Sequence, residues 1–174
     1  MKILVCISNV PDTTSKIEFT DGNTNFETKG IKYIINPNDE FGLTKAIWIK
    51  KELDAEVTVI CVGESSCDGT LRKCLAIGAD KAIRINLNPT DGFQVASELV
   101  NVCDNESYDL IIAGRESIDY NGGMVPGIMA ALMNFNFVTN CVGLTIENNT
   151  AIASREMDGG IETVSCNLPL IIGA

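Results

Sequence analysis

The stretch that decides the fold reads YDLIIAGRESIDYNGGMVPG and covers residues 108–127. Its short apolar run at residues 110–113 is typical of a strand that is covered on both faces. Pro126 suits the first turn of a helix, where its missing N–H is no loss. Gly122 and Gly123 can adopt positive φ and let a ligand approach the backbone. A helix N-terminus behind such a strand suits a phosphate. From these residues alone, a phosphate-binding loop and an ordinary strand-to-helix turn both remain open.

Strand and helix patterns alternate on both sides of this stretch, as far as Asn134. The helix that begins near Pro126 is expected to bury Val125, Ile128, Met129 and Leu132. Alternation of this kind predicts a parallel, doubly wound α/β sheet. The predicted strands are residues 2–8, 31–35, 56–62, 81–86 and 110–113, and the other predicted helices begin at Pro37, at Cys67 or Asp68, and at Thr90 or Asp91.

The pattern changes after Asn134. Residues 140–147, 150–156 and 162–166 have strand character, and the turns at 148–149 and 158–160 are hairpin signals. We therefore predict a single α/β domain over residues 1–174. Its sheet is mostly parallel and Rossmann-like, and it carries a C-terminal antiparallel hairpin extension. The sequence stops within an apolar strand candidate at residues 168–174, so we expect the chain to be C-terminally truncated.

Composition and charge exclude several classes of function. A net charge of −10 argues against binding to nucleic acid or to an anionic membrane surface. No apolar run approaches the ~20 residues that a membrane-spanning helix needs, so no membrane insertion is expected. The chain has no histidine, which removes His-based catalytic triads and most zinc sites. The seven cysteines form no Cys-x-x-Cys pair, and they favour buried free thiols in a reducing, cytoplasmic compartment.

Ligands of doubly wound sheets bind beyond the carboxyl ends of the strands. The turns expected at that edge are residues 6–9, 62–63 and 114–125, next to the helix start at Asn36-Pro37. The sequence contains neither a Gly-x-Gly-x-x-Gly fingerprint nor a Walker loop. A Ser-Gly-Gly loop of the kind that holds a triphosphate in ATP pyrophosphatases is also missing after the first strand. A bound nucleotide would therefore be a monophosphate or a passive cofactor.

Several polar residues at this edge have two open interpretations. The amide of Asn36 can read the edge of a base or cap the helix that begins at Pro37. Cys6 can be a packing residue or can turn its backbone toward an adenine. Asp119 can accept hydrogen bonds from ribose hydroxyls or only order its loop, and Arg115 and Glu116 can be a solvated pair.

Five ordered motifs give the chain a resemblance over its whole length. It is similar to the beta subunit of the electron-transfer flavoproteins. The motifs are VPDT at residues 10–13, INPNDE at 35–40, LAIGAD at 75–80, GRESID at 114–119 and REMDGGIE at 155–162.

The resemblance implies an electron-carrier subunit without catalytic residues of its own. Members of this family pair with an alpha subunit that holds most of an FAD. They carry electrons from acyl-CoA and related dehydrogenases to a membrane quinone reductase, and the beta subunit binds a structural AMP. Carried over by position, the AMP pocket consists of Cys6, Asn36, Pro37, Asn38, Asp39, Val62, Ser117, Ile118, Asp119, Tyr120, Asn121, Gly122, Gly123, Met124, Val125, Pro126, Gly127 and Ile128.

This sequence departs from the family pattern in two respects. Family members commonly carry Asp-x-Asp-Thr-x-Gln where residues 119–124 read DYNGGM, so backbone N–H groups must supply most contacts to a phosphate. Family members also continue into a dehydrogenase-docking segment and a C-terminal arm, neither of which is in this sequence. A bifurcating subunit with a second FAD in place of AMP remains open. A stand-alone adenine-nucleotide module similar to universal stress proteins is a further alternative, although the glycine-rich phosphate loop of that class is missing.

Overall fold

The computed structural model describes residues 1–174, which form thirteen strands and four α-helices. The strands are β1 (Lys2–Cys6), β2 (Asn9–Pro11), β3 (Phe19–Thr20), β4 (Asn25–Phe26), β5 (Tyr33–Ile35), β6 (Glu56–Val62), β7 (Lys81–Ile85), β8 (Leu110–Ala113), β9 (Asn136–Val138), β10 (Cys141–Glu147), β11 (Thr150–Met157), β12 (Gly160–Asn167) and β13 (Leu170–Gly173). The helices are α1 (Pro37–Leu53), α2 (Asp68–Ile77), α3 (Gly92–Cys103) and α4 (Val125–Met133).

Six of these strands form the central sheet, in the order β7-β6-β1-β8-β13-β9. Every neighbouring pair is parallel. Val5 of β1 lies between Val59 of β6 and Ile112 of β8, so the order of strands reverses on the two sides of β1. The doubly wound α/β prediction is confirmed, and the central sheet is parallel throughout. The reversal creates a switch point between the carboxyl ends of β1 and β8.

Helices cover both faces of this sheet. On one face, Leu43 and Ile47 of α1 share a core with Ile3 of β1. On the other face, Leu99 of α3 and Met129 of α4 share a core with alternate strand residues such as Leu4. Burial on both sides explains why the inner strands β8 and β13 have no polar side chains.

Helix α4 buries a narrower face than the sequence predicts. Met129 is fully buried, and Val125 and Ile128 are half-buried. Leu132 is 51% exposed, so the prediction that it belongs to the core is wrong. Helix α4 packs mainly against α3 and the strands β8, β9 and β13, and its outer side, which carries Leu132, is exposed. No helix of the chain combines the length and the apolar character required to cross a lipid bilayer.

The antiparallel strands β10, β11 and β12 form a separate three-stranded sheet. Asn148 and Asn149 have φ of 48° and 66°, the backbone that a tight two-residue hairpin turn requires. The chain then returns to the central sheet, where β13 pairs with β8 and β9. The antiparallel strands are therefore an insertion before the final parallel strand. The predicted antiparallel strands are present in the C-terminal part of the chain, and the buried run of β13 that follows them has partners on both sides.

All seven cysteines are free thiols, as the sequence predicts. Six of them are buried, and Cys166 is partly buried. None forms a disulfide, and no group of His, Cys, Asp or Glu side chains is arranged to hold a metal ion.

Candidate functional site

A cavity of about 990 Å³ lies at the carboxyl edge of the central sheet. It opens where β1 and β8 lead into loops that leave the sheet in opposite directions, as expected at a switch point. Loop residues after β1, β6, β7 and β8 line it, together with the start of α4. This volume is at the upper end of the usual range for small-molecule sites, which is about 300–1,000 Å³.

Asp39 joins the two strands that meet at the switch point. It lies in the first turn of α1 and is only 3% exposed. Its Oδ2 accepts a hydrogen bond from the backbone N–H of Ser8 at 2.7 Å, and its Oδ1 accepts one from the N–H of Gly114 at 2.8 Å. Burial raises the pKa of Asp39 to about 6, although the hydrogen bonds from Ser8, Asn36 and Gly114 act in the opposite direction.

Two asparagines hold the loop that follows β8. Asn36 Nδ2 and Asn38 Nδ2 both donate to the carbonyl oxygen of Glu116, at 2.9 and 3.0 Å. Asn36 Oδ1 accepts from the N–H of Ile118 at 3.2 Å. The Asn36 side chain makes no capping bond to α1, so the capping interpretation is wrong. Both polar atoms of its fully buried amide have protein partners, and its structural role is to fix the loop.

The loop between β8 and α4 folds back on itself. The N–H of Ser117 donates to the carbonyl of Gly122 at 3.1 Å, and Asn121 takes the left-handed backbone with φ of 56°. The expectation of positive φ at Gly122 and Gly123 is therefore wrong. Gly123 is needed for another reason, because a Cβ atom there would lie 2.9 Å from the carbonyl oxygen of Arg115.

Two acidic side chains of this loop have local partners. Asp119 Oδ1 accepts from the N–H of Tyr120 at 3.0 Å, as its loop-ordering interpretation requires. Arg115 lies 3.8 Å from Glu116 and 3.6 Å from Glu156, in an exposed cluster of ion pairs. These contacts order the outer part of the loop.

Ser117, a residue of the cavity lining, has an unsatisfied polar atom. It is 8% exposed, it lines the cavity, and its Oγ has no hydrogen-bond partner in the protein. A buried hydroxyl without a partner costs roughly 1–3 kcal/mol. A polar group of a ligand would remove this cost, so the hydroxyl is suited to bind one.

The charges around the cavity are all of one sign. Asp39, Glu64, Asp91, Glu116 and Asp119 line it, and no lysine or arginine does. The first turn of α4 has no side-chain cap, which leaves backbone N–H groups free near the cavity. An anionic group of a ligand would rely on these N–H groups and on hydroxyls such as that of Ser117.

Comparison with known protein families gives a match over most of the chain. The electron transfer flavoprotein domain matches residues 24–173. The chain belongs to the electron transfer flavoprotein family.

Individual relatives cover nearly all of the chain. The protein called electron transfer flavoprotein subunit beta in Dictyostelium discoideum is 35% identical, over 99% of this chain and 70% of its own length. The protein of that name in Bacillus subtilis is 30% identical, over 100% of this chain and 68% of its own length. A third, called electron transfer flavoprotein subunit beta, mitochondrial, in Arabidopsis thaliana, is 36% identical over 99% of this chain and 70% of its own length.

Within this electron transfer flavoprotein domain, the predicted site residues divide into two groups. One group lines the cavity and consists of Cys6, Asp39, Val62, Ser117, Asp119, Tyr120, Gly122, Met124, Val125 and Pro126. The other group lies outside the lining and consists of Asn36, Pro37, Asn38, Ile118, Asn121, Gly123, Gly127 and Ile128. In both groups, contact with a bound nucleotide stays a prediction.

Sequence reasoning missed one wall of the cavity in this electron transfer flavoprotein domain. Residues 88–91, between β7 and α3, line it together with Gly92, the first residue of α3. This loop is positioned by Asp91, whose Oδ1 accepts from the N–H of Gln94 at 2.8 Å and so caps α3. Gly92 packs close to Met124, because a Cβ atom at position 92 would lie 2.8 Å from the Met124 Cγ. The signal was present, since this loop also follows the carboxyl end of a parallel strand.

Proposed function

We propose that this chain is the beta subunit of a heterodimeric electron transfer flavoprotein and binds AMP in the cavity at the switch point. It is an electron-carrier subunit with no catalytic residues of its own, and residues 1–174 act as a single domain. The observation that carries the proposal is the buried, unpartnered hydroxyl of Ser117 in a nucleotide-sized cavity of a chain from this family.

The residues of the cavity fit a nucleoside monophosphate. Ile60, Val95 and Leu99 provide an apolar part of the lining that suits a base. The hydroxyl of Ser117 and the free N–H groups at the start of α4 suit a ribose or a phosphate. Asp39 and Asn36 fix the surrounding loops, so the groups that would meet the ligand are held in place before it binds.

The second cofactor in the proposal is an FAD that this chain shares with an alpha subunit. When bound, the flavin supplies the redox chemistry that accepts and releases electrons. We propose acyl-CoA or related dehydrogenases as donors, a quinone reductase as acceptor, and the cytoplasm as the location. The contribution of this chain is to hold the structural nucleotide and to complete the heterodimer.

The proposal is tested by co-expressing the gene of this protein with that of its alpha subunit and purifying the complex. We expect a yellow heterodimer with flavin absorbance. We also expect denaturation to release AMP, identified by its mass. A complex without flavin would contradict the electron-carrier role. Release of FAD in place of AMP, at two FAD per heterodimer, would show the bifurcating type, and the absence of any second nucleotide would contradict the AMP site.

Substitution of Ser117 by alanine should weaken nucleotide binding without unfolding the protein. Because the Oγ is buried and bonds to nothing within the protein, its removal should raise the free energy of unfolding without ligand by roughly 1–3 kcal/mol. Loss of one hydrogen bond to the ligand should raise the Kd for AMP about tenfold. Isothermal titration calorimetry measures the affinity.

Ser107→Ala is the matched control for Ser117→Ala. Ser107 is exposed and lies outside the cavity lining. This variant should leave the Kd for AMP unchanged. If the wild type and Ser117→Ala bound AMP with equal affinity, Ser117 would not be a nucleotide-binding residue.

A further inference from the structure

Two thiols lie beside the same glycine at the wall of the cavity. Cys61 belongs to β6, and Cys67 ends the short 3-10 turn Ser65–Cys67. Both are buried, with 1% and 4% exposure. A Cβ atom at position 63 would overlap with the Cys67 Sγ and would lie 4.0 Å from the Cys61 Sγ. Both sulfurs therefore face the space that Gly63 leaves free.

The environment gives the two thiols different chemical characters. The neighbouring Cys61 lowers the pKa of Cys67, while burial opposes this effect. The hydrogen bond from Ser66 and the charge of Arg84 also lower it. The same interaction with Cys67 raises the pKa of Cys61. Cys67 is thus the better nucleophile of the pair, and Cys61 keeps its proton.

Arg84 is held firmly beside this turn. Its Nη1 donates to the carbonyl oxygen of Gly63 at 3.2 Å, and its Nε lies 2.8 Å from Asp68 Oδ1. The guanidinium is therefore anchored to one residue that precedes Cys67 in the sequence and to one that follows it. This anchoring keeps a positive charge next to the sulfur.

Access distinguishes Cys67 from Cys61, although Cys6 also lines the cavity. Cys67 lines the cavity, whereas Cys61 does not. A small oxidant can reach Cys67 through the cavity without unfolding the chain. Burial raises the pKa of every remaining cysteine, which leaves those thiols protonated and slow to react. They are Cys6, Cys74, Cys103, Cys141 and Cys166.

We propose that Cys61 and Cys67 are a thiol modification site, at which a hydroperoxide forms a reversible disulfide. The Cys67 thiolate attacks one oxygen of hydrogen peroxide, an S–O bond forms, the O–O bond breaks, and hydroxide leaves as water after taking up a proton. The Cys61 sulfur then attacks the sulfenic sulfur of Cys67 and gives up its own proton. The S–S bond forms, the S–O bond breaks, and a second water leaves.

The reaction balances without any other reagent. The two thiols lose two electrons and two protons, and the peroxide is reduced to two water molecules. A dithiol reverses the reaction by thiol–disulfide exchange. The cross-link closes over the turn that carries Val62, Gly63 and Glu64, all of which line the cavity. The modification site is therefore part of the cavity wall.

The test uses the full chain, treated with hydrogen peroxide, alkylated and digested with trypsin without reduction. Cys61 and Cys67 fall in the same tryptic peptide, residues 52–72. We expect this peptide to escape alkylation and to lose the mass of two hydrogen atoms. Dithiothreitol should restore both thiols. The proposal would be overturned if, after peroxide treatment, Cys61 and Cys67 were both alkylated to the same extent as the other cysteines of the chain.

Variants assign the roles of the two sulfurs. Cys67→Ser should abolish the reaction, and Cys61→Ser should leave a sulfenic acid on Cys67 that dimedone traps. Arg84→Gln should slow the modification about fivefold, because it removes a charge that favours the thiolate. Cys103→Ser is the control and should react like the wild type. If dimedone labelled Cys103 as fast as Cys67, the claim that Cys67 is the more reactive thiol would be contradicted.

Discussion

Gly114→Ala is expected to destabilise the chain by about 3 kcal/mol, because the new methyl group would occupy filled space. A Cβ atom at position 114 would overlap with Asp39 Oδ1 and lie 2.9 Å from the Asn38 Cβ and 3.1 Å from the Asn36 Nδ2. None of these atoms can move freely. Asp39 is hydrogen-bonded to both strands of the switch point, and Asn36 is fully buried. Urea unfolding monitored by circular dichroism measures the loss.

Gly173→Ala provides the matched control for Gly114→Ala. Gly173 ends β13, which lies next to β8 in the sheet. A Cβ atom there would have its nearest neighbour at 3.6 Å, which is ordinary contact. This variant should cost less than about 1 kcal/mol. Equal losses for the two variants would show that the crowding around Asp39 does not restrict position 114.

Asp39→Ala is expected to have an effect that depends strongly on pH. The substitution leaves the buried N–H groups of Ser8 and Gly114 without acceptors, which should cost about 3 kcal/mol near pH 4. The folded-state pKa of Asp39 is raised to about 6 from 3.8. The stability that its protonated form provides is therefore complete below about pH 4 and is lost as the pH rises through about 6.

The difference in unfolding free energy between the wild type and Asp39→Ala should thus shrink by about 2–3 kcal/mol between pH 4 and pH 8. Urea unfolding at a series of pH values measures it. Asp80→Ala is a control of opposite sign, because the hydrogen bonds from Lys50 and Val57 lower the pKa of Asp80. Stability from Asp80 is present at neutral pH and is lost as the pH falls. A difference for Asp39→Ala that grows with pH would contradict the raised pKa.

The sequence contains enough information to predict much of the sheet and its helices. The predicted strand at residues 56–62 matches β6, and the run at residues 110–113 matches β8. Helix α1 begins at Pro37, as its position after Asn36 predicts. These elements follow local rules, namely apolar runs between turn residues and a proline in the first helical turn.

Other features depend on contacts that no local pattern encodes. Strand β9 has only three residues, two of them exposed, and so lacks a strand signature. The role of Asn36 depends on the carbonyl of Glu116, which lies 80 residues further along the chain. The resemblance to the flavoprotein family predicted that Asn36 belongs to the site region. Only the structure distinguishes a residue that lines the cavity from one that positions the loop around it.

The position of β13 has a consequence for the order of folding during synthesis. Strand β9 is joined to the central sheet only through β13, although the ribosome releases β9 before the three strands of the insertion and before β13. A nascent chain can therefore pair β7, β6, β1 and β8 early, since domains begin to fold from the N-terminal side. The edge of β8 then stays unpaired until β13 has been synthesised. During that interval this edge is the part of the nascent chain most exposed to wrong pairing and in need of a chaperone.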